Sequence, residues 1–268
     1  MTLYNKEICL NLLPKYQMAL NEISPNIKFK NIINYNDNAI EIKISIEDKN
    51  EESKLNISKE LTEILIKIVK EVLLKEHIEK LYKQDYSLGL EKIYLKSLES
   101  FNKKELLIKE IIFYKINNYI LNNNYIDIDG FLKFRIKELG DYINNVCEEG
   151  LEEYLLEKDY DEFISVLKYF INTQETKIDT LKVYIRKDKS FILYDGNDNI
   201  INNESDEEII NMFIKENLNY EDFLISTLIS LCPNHIIIYD SLKTNSSIEI
   251  IDTIKSIFGD KVEEKNMS

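Results

Sequence analysis

From Ser58 to Leu156 the chain reads as helix almost without a break, and no proline falls inside that stretch. Such a run commits the middle of the molecule to a helical bundle, because amphipathic helices must bury their apolar stripes against one another. Leu61, Leu65, Ile68 and Val72 recur at steps of 4, 3 and 4, the spacing of one helix face. Leu88-Gly89-Leu90 reads as a break, and Asn102 is expected to cap a helix carrying Ile108, Ile111, Ile112 and Ile116. Asp127 or Asp129 is expected to cap a long helix whose seam is Leu132, Ile136, Leu139, Ile143 and Val146. That seam suits a bundle and is too short for a coiled coil. A following helix is expected from Asp159 to Thr173, burying Phe163, Val166, Leu167 and Phe170.

The flanks have a different period. Ala39 to Glu47 alternates, which places Ile40, Ile42, Ile44 and Ile46 on one strand face. Ile27 to Ile33 is the expected hairpin partner, across the turn-rich Tyr35-Asn36-Asp37-Asn38. Glu47 to Ser53 is a charged, solvated connection. Near Thr176 alternation returns: Leu181, Val183 and Ile185, a turn at Lys187-Asp188-Lys189, then Phe191 to Tyr194 and a second turn at Asp195-Gly196. Ser205 to Glu208 has the form of a capping box ahead of Ile209, Ile210 and Phe213. A helix from Tyr220 to Leu231 is stopped by Cys232-Pro233-Asn234. His235 to Asp240 is a continuous apolar run of the kind buried on both faces of a sheet. Ser246 to Glu249 opens a helix with Ile248, Ile251, Ile254 and Ile257, and Lys261-Val262-Glu263 is expected as a final parallel strand. The fold class is α+β, predominantly α. The expected parts are a small α/β segment over 1–52, a helical bundle over 53–175, and a C-terminal α/β unit over 176–268 built from a hairpin and a βαβ crossover. The three are separate domains or one continuous body.

Composition narrows the function. The chain has 48 acidic and 34 basic residues, a net charge of -14, so a general nucleic-acid binder is not expected. Only Arg135 and Arg186 are arginine, the side chain best suited to bidentate phosphate contacts. Cys9, Cys147 and Cys232 are odd in number and widely spaced, which suits a reducing compartment and neither a disulfide framework nor a zinc site. The first ten residues lack a secretory h-region. Leu106 to Leu121, the most lipid-like stretch, is interrupted by Lys109, Glu110, Lys115, Asn117 and Asn118, so membrane insertion is not expected. The expected location is the cytoplasm.

Three segments carry a family resemblance. Asp129-Gly130-Phe131-Leu132-Lys133-Phe134-Arg135-Ile136-Lys137-Glu138 is the first, and Glu153-Tyr154-Leu155 with Tyr160-Asp161-Glu162-Phe163 is the second. The third is Glu221-Asp222-Phe223-Leu224-Ile225-Ser226-Thr227-Leu228-Ile229-Ser230, followed by Pro233-Asn234-His235-Ile236-Ile237-Ile238-Tyr239. Together they resemble the YtxC family of endospore-forming bacteria, over roughly Ser58 to the C-terminus. The resemblance implies a setting in sporulation, and it supplies no catalytic residues to carry over.

Each chemical candidate has a plainer counterpart. His235 stands at the N-terminal end of its strand, whereas ligands in open α/β sheets gather at carboxyl ends. His77 lies at the edge of an apolar helix face, where a satisfied interface side chain is expected. Glu148, Glu149, Glu152, Glu153 and Glu157 form three i,i+4 carboxylate pairs. Without Glu-x-x-His partners they read as a solvated helix face whose repulsion neighbouring lysines or a partner must offset. Arg135, framed by Phe131, Lys133, Phe134 and Lys137, reads as a recognition point for an acidic or phosphorylated partner. Its plainer reading is an interhelical ion pair with a carboxylate such as Glu157 or Asp161. Asp240-Ser241 and the polar crossover after it have the character of an anion site, yet no G-x-G-x-x-G or Walker pattern occurs. Cys147 and Cys232 read as small buried apolar residues. The expectation is therefore an interaction or scaffold module that needs no cofactor and whose partner is another protein. Its candidate patch comprises Phe131, Arg135, Glu153, Glu157, Asp161 and Glu162. A small-ligand or nucleotide-dependent enzyme using the crossover near Asp240 is the alternative.

Overall fold

The computed structural model describes residues 6–17, 32–36, 39–46, 51–185, 191–201, 220–240 and 245–265. Its contacts divide the chain into two units, residues 1–157 and 158–268.

In the first unit, β1 (Lys6–Leu12), β2 (Ile32–Asn36), β3 (Ala39–Ile46) and β4 (Tyr125–Asp127) make a sheet of order β2-β3-β1-β4. β3 is antiparallel to both β1 and β2, whereas β4 runs parallel to β1 with Cys9 opposite Tyr125. Alternation does what the sequence implies: Ile8, Leu10 and Leu12 of β1 and Ile40, Ile42 and Ile44 of β3 are buried on one face. The hairpin partner of β3 is described from Ile32 and includes Tyr35 and Asn36, expected in the turn, as strand residues. Ile27 to Asn31 and the turn at Asp37-Asn38 lie outside the described residues.

Helix α1 (Glu51–Ile68), a π-helical turn at Val69–Leu73 and α2 (Leu74–Tyr82) follow without a gap, and α3 (Leu90–Asn122) begins after the break at Gly89. The expected cap at Asn102 does not exist: α3 runs straight through it. Burial of Ile93, Phe101, Ile108, Ile112 and Ile116 along one face outweighs the local preference of one asparagine. Asp127 does cap a helical turn (Ile128–Gly130), its Oδ1 accepting from the Gly130 N–H at 2.7 Å. A π-helical turn at Phe131–Arg135 precedes α4 (Lys137–Thr173), with Ile136 (φ -113°, ψ 76°) as the joint. All five expected seam residues are buried, although the first two precede the helix.

α4 continues to Thr173, so no separate helix starts at Asp159. Its expected apolar face there is also corrected. Ile164 and Ile171 are the buried pair with Leu167 partly covered, whereas Phe163, Val166 and Phe170 are exposed. The helix carries apolar residues on two faces here, and among the described residues only one packs.

In the second unit, β5 (Ile178–Ile185), β6 (Phe191–Asp195), β7 (Pro233–Asp240) and β8 (Val262–Lys265) form a mixed sheet of order β6-β5-β7-β8. The β5–β6 pair is antiparallel, and β7 is parallel to both β5 and β8. α5 (Tyr220–Leu231) precedes β7, and α6 (Asn245–Phe258) is the crossover between β7 and β8. Leu224, Leu228, Ile251, Ile254 and Ile257 pack with Leu181, Val183, Ile236 and Ile238 in one core that covers one face of β7; on its other face Ile237 is buried, but His235 and Tyr239 are only half-buried. Asp195 closes the β6 turn, its Oδ1 accepting from the N–H groups of Asn197 and Asn199. The turn at Lys187–Lys189, the capping box at Ser205 with Ile209, Ile210 and Phe213, and Ser241 to Thr244 lie outside the described residues. The fold is thus predominantly α, with a small N-terminal sheet and a C-terminal mixed sheet.

Candidate functional site

Helices α3 and α4 of the first unit lie antiparallel, as their ion pairs show. Lys115 meets Glu138, Lys104 meets Glu149, Lys103 meets Glu153, and both Lys92 and Lys96 meet Glu157. The acidic face of α4 is therefore largely neutralised by lysines of α3. Hydrogen bonds from Lys104 and Ser100 hold the Glu149 carboxyl below the usual carboxylate range. Those from Lys96 and Lys92 do the same for Glu157. Each exposed pair contributes at most about 1 kcal/mol, so the ladder sets register more than stability.

The candidate patch is distributed among these features. Phe131 is buried, its ring edge-on to Tyr119 at 5.3 Å between centroids. Arg135 is exposed and stacks its guanidinium over the ring of Tyr119, 5.3 Å from the centroid. The two border a pocket of about 350 Å³ with Lys115, Asn118 and Asn123. The expected Arg135–Glu157 ion pair does not form: Glu157 faces Lys92 and Lys96 instead. Glu153 faces Lys103. Asp161 and Glu162 belong to the second unit, where Glu162 pairs with Lys158 one turn back and the Asp161 carbonyl accepts from Ser165.

Both histidines have structural partners. His77 shares a hydrogen bond with Asn144 of α4, and His235 lies 3.3 Å from Glu263 of β8. Cys147 and Cys232 are buried. Burial pushes the Cys147 thiol up to about 12, and burial with a hydrogen bond to Glu41 pushes Cys9 up to about 11. Among the described residues no group of three His, Cys, Asp or Glu is placed to hold a metal ion. No helix among them is long and apolar enough to cross a membrane.

Two larger concavities stand out among the described residues. At the carboxyl end of β7, Asp240 lines a pocket of about 540 Å³ with Ile238, Asp252, Lys255, Glu264 and Lys265. Lys255 and Glu264 are paired within it. The other is an open groove of about 650 Å³ between α3 and α4, which sequence reasoning missed. Leu106, Leu107, Tyr142 and Val146 make its floor, and Glu110, Glu148, Glu149 and Glu152 with Lys104 make its rim. Leu106 and Leu107 are 71% and 63% exposed. Tyr142 donates to the Phe101 carbonyl at 3.0 Å, and burial with the nearby charges of Glu105 and Glu149 pushes its phenol up to about 12. The available signal was the pair Leu106-Leu107 beside Lys103-Lys104, but only the helix pairing brings it to Glu148 and Glu152.

Fold and groove together define a helix-rich α+β protein with an open groove lined by apolar side chains and carboxylates. The chain belongs to the YtxC-like family, whose model matches residues 55–263. It is 25% identical over 164 residues to the uncharacterized protein YtxC of Bacillus subtilis (strain 168), a match covering 61% of this chain and 56% of that protein. The chain thus matches little more than half the length of that relative. No solved structure matches.

Proposed function

We propose that this chain is a non-enzymatic interaction module that works in the cytosol during sporulation. The observation that carries the reading is the α3–α4 groove, where two leucines stand in water beside carboxylates. Exposed apolar surface with a polar rim is the ordinary mark of a protein docking site. The sporulation setting rests on the family resemblance. A competing reading, a ligand-dependent enzyme, draws on the pocket at Asp240, because ligands of open α/β sheets gather at carboxyl strand ends. The groove is favoured because its apolar floor is open to solvent, whereas the Asp240 pocket has its Lys255 committed to Glu264.

The test is a deletion in a spore-forming host, joined to recovery of a tagged copy from sporulating cells. The expected result is a reduced spore yield and a specific partner. Normal spores with no partner recovered would overturn the reading. So would stabilisation of the pure protein by a nucleotide or divalent ion, about 2.7 kcal/mol at 100 times its Kd.

A further inference from the structure

The rim of the groove is unevenly neutralised. Glu105, Glu138, Glu149, Glu153 and Glu157 of α3 and α4 all have lysine partners. Glu110, Glu148 and Glu152 are exposed, and no ion pair is formed by them among the described residues. These three border the leucine floor, and the one lysine there, Lys104, is committed to Glu149. Uncompensated negative charge and uncovered apolar surface therefore coincide at this groove, although Glu91, Glu99 and Asp141 elsewhere on the two helices are also exposed and form no ion pair among the described residues.

Resting on the reading of the chain as an interaction module, we infer that the groove receives a basic amphipathic helix of a partner protein. Its apolar side would lie on Leu106, Leu107 and Val146, and its Lys or Arg residues would meet Glu110, Glu148 and Glu152. Three observations select this occupant. A second copy docking by the same surface about a two-fold axis would set these carboxylates against their own counterparts, which repel. An anionic lipid surface is repelled for the same reason. An extended peptide would find no main-chain partners, because the walls are helices whose backbone groups are bonded internally, whereas a helix satisfies its own. Tyr142 to Glu152 extends over about 15 Å at 1.5 Å per residue, which about three turns of a partner helix would match.

The experiment uses the full chain and three labelled synthetic peptides of about 14 residues, read by fluorescence anisotropy. One has Leu at i, i+3, i+4 and i+7 with Lys on both flanks, one replaces each Lys with Glu, and one scrambles the basic sequence. The basic amphipathic peptide should bind, weakening as salt is raised, while the other two bind at least about tenfold more weakly. Leu107→Glu should weaken binding by about tenfold or more, and the Glu110→Lys/Glu148→Lys/Glu152→Lys variant should prefer the acidic peptide. Both alter exposed side chains, and unchanged circular dichroism and melting confirm the fold. Equal binding of the basic and scrambled peptides overturns the proposal, as does binding untouched by Leu107→Glu. A concentration-dependent dimer that Leu107→Glu dissolves also overturns it, by giving the groove to a second copy. The two readings fail separately: a partner recovered from sporulating cells equally well by Leu107→Glu refutes the groove and leaves the interaction module standing.

Discussion

Gly150 on α4 lies close against the backbone of Ser97 on α3, and replacing it with alanine tests that contact directly. A Cβ built there would stand 2.6 Å from the Ser97 backbone N and 2.8 Å from its Cα. The nearer contact is about 0.8 Å inside the 3.4 Å edge of ordinary van der Waals contact. The obstacle is backbone, so no rotamer change relieves it and the helices must move apart. A gap of 0.5–1 Å forfeits roughly a quarter to a half of each dispersion contact it opens, and Val146, Cys147 and Phe101 are all buried nearby in the sequence of those helices. Overpacking of this kind costs about 3 kcal/mol, the upper end of its range. Alanine's helix propensity returns about 1 kcal/mol. The net expectation is a loss of about 2 kcal/mol, a fall in Tm of roughly 4–8 °C for a domain of this size. Gly140→Ala is the matched control, since nothing lies within 4 Å of a Cβ there. It should be neutral or stabilising by up to about 1 kcal/mol. Ser97→Gly should not rescue Gly150→Ala, because the obstructing backbone stays in place. Thermal and urea melts followed by circular dichroism decide the matter. A Gly150→Ala protein as stable as the wild type would refute the close approach.

Two further outcomes follow from titrating groups. At Asp129, burial raises the carboxyl, but hydrogen bonds from Lys133 and Tyr16 outweigh it and hold the group below its usual value. The native state then binds fewer protons than the unfolded one. The resulting stability is present above the unfolded value of about 3.9 and is lost as pH falls through the lower native value. Urea midpoints at about pH 7 and about pH 3 should therefore fall further for the wild type than for Asp129→Asn, and equal falls would contradict the assignment. For the thiols, Cys9 and Cys147 have values raised to about 11 and about 12, so thiolate is scarce near neutrality. Ellman's reagent should modify neither quickly until denaturant is added, and rapid reaction of either thiol in the native protein would contradict the raised values.

What could be read from the sequence depended on how many residues shared a signal. Ile40, Ile42 and Ile44 announced β3 because three buried positions repeat at one period, and the run Ile236 to Ile238 announced a central strand. β4 contributes only Ile126 to the core, and one residue has no period. From Asp159 to Thr173, Ile164, Leu167 and Ile171 compete with Phe163, Val166 and Phe170. Both sets satisfy helical spacing, so only tertiary packing chooses between them. The acidic residues of α4 were visible as a run, but which of them stay unpaired depends on where Lys92, Lys96, Lys103 and Lys104 fall on α3. That information lies 45 to 65 residues away in the chain and becomes chemical only when the helices meet.

The parallel pairing of β4 with β1 has a consequence for synthesis. Asn11 hydrogen-bonds Asp127 across 116 residues of chain, and between them come both other strands of that sheet and helices α1 to α3. A nascent chain therefore carries an unfinished sheet edge at β1 until β4 has cleared the ribosome, and contacts of such separation form late. Any chain released before Tyr125 would keep that edge open, with Cys9 and Asn11 on the strand that lacks its neighbour. The three residues Tyr125–Asp127 are the point in translation at which the first sheet gains its last strand.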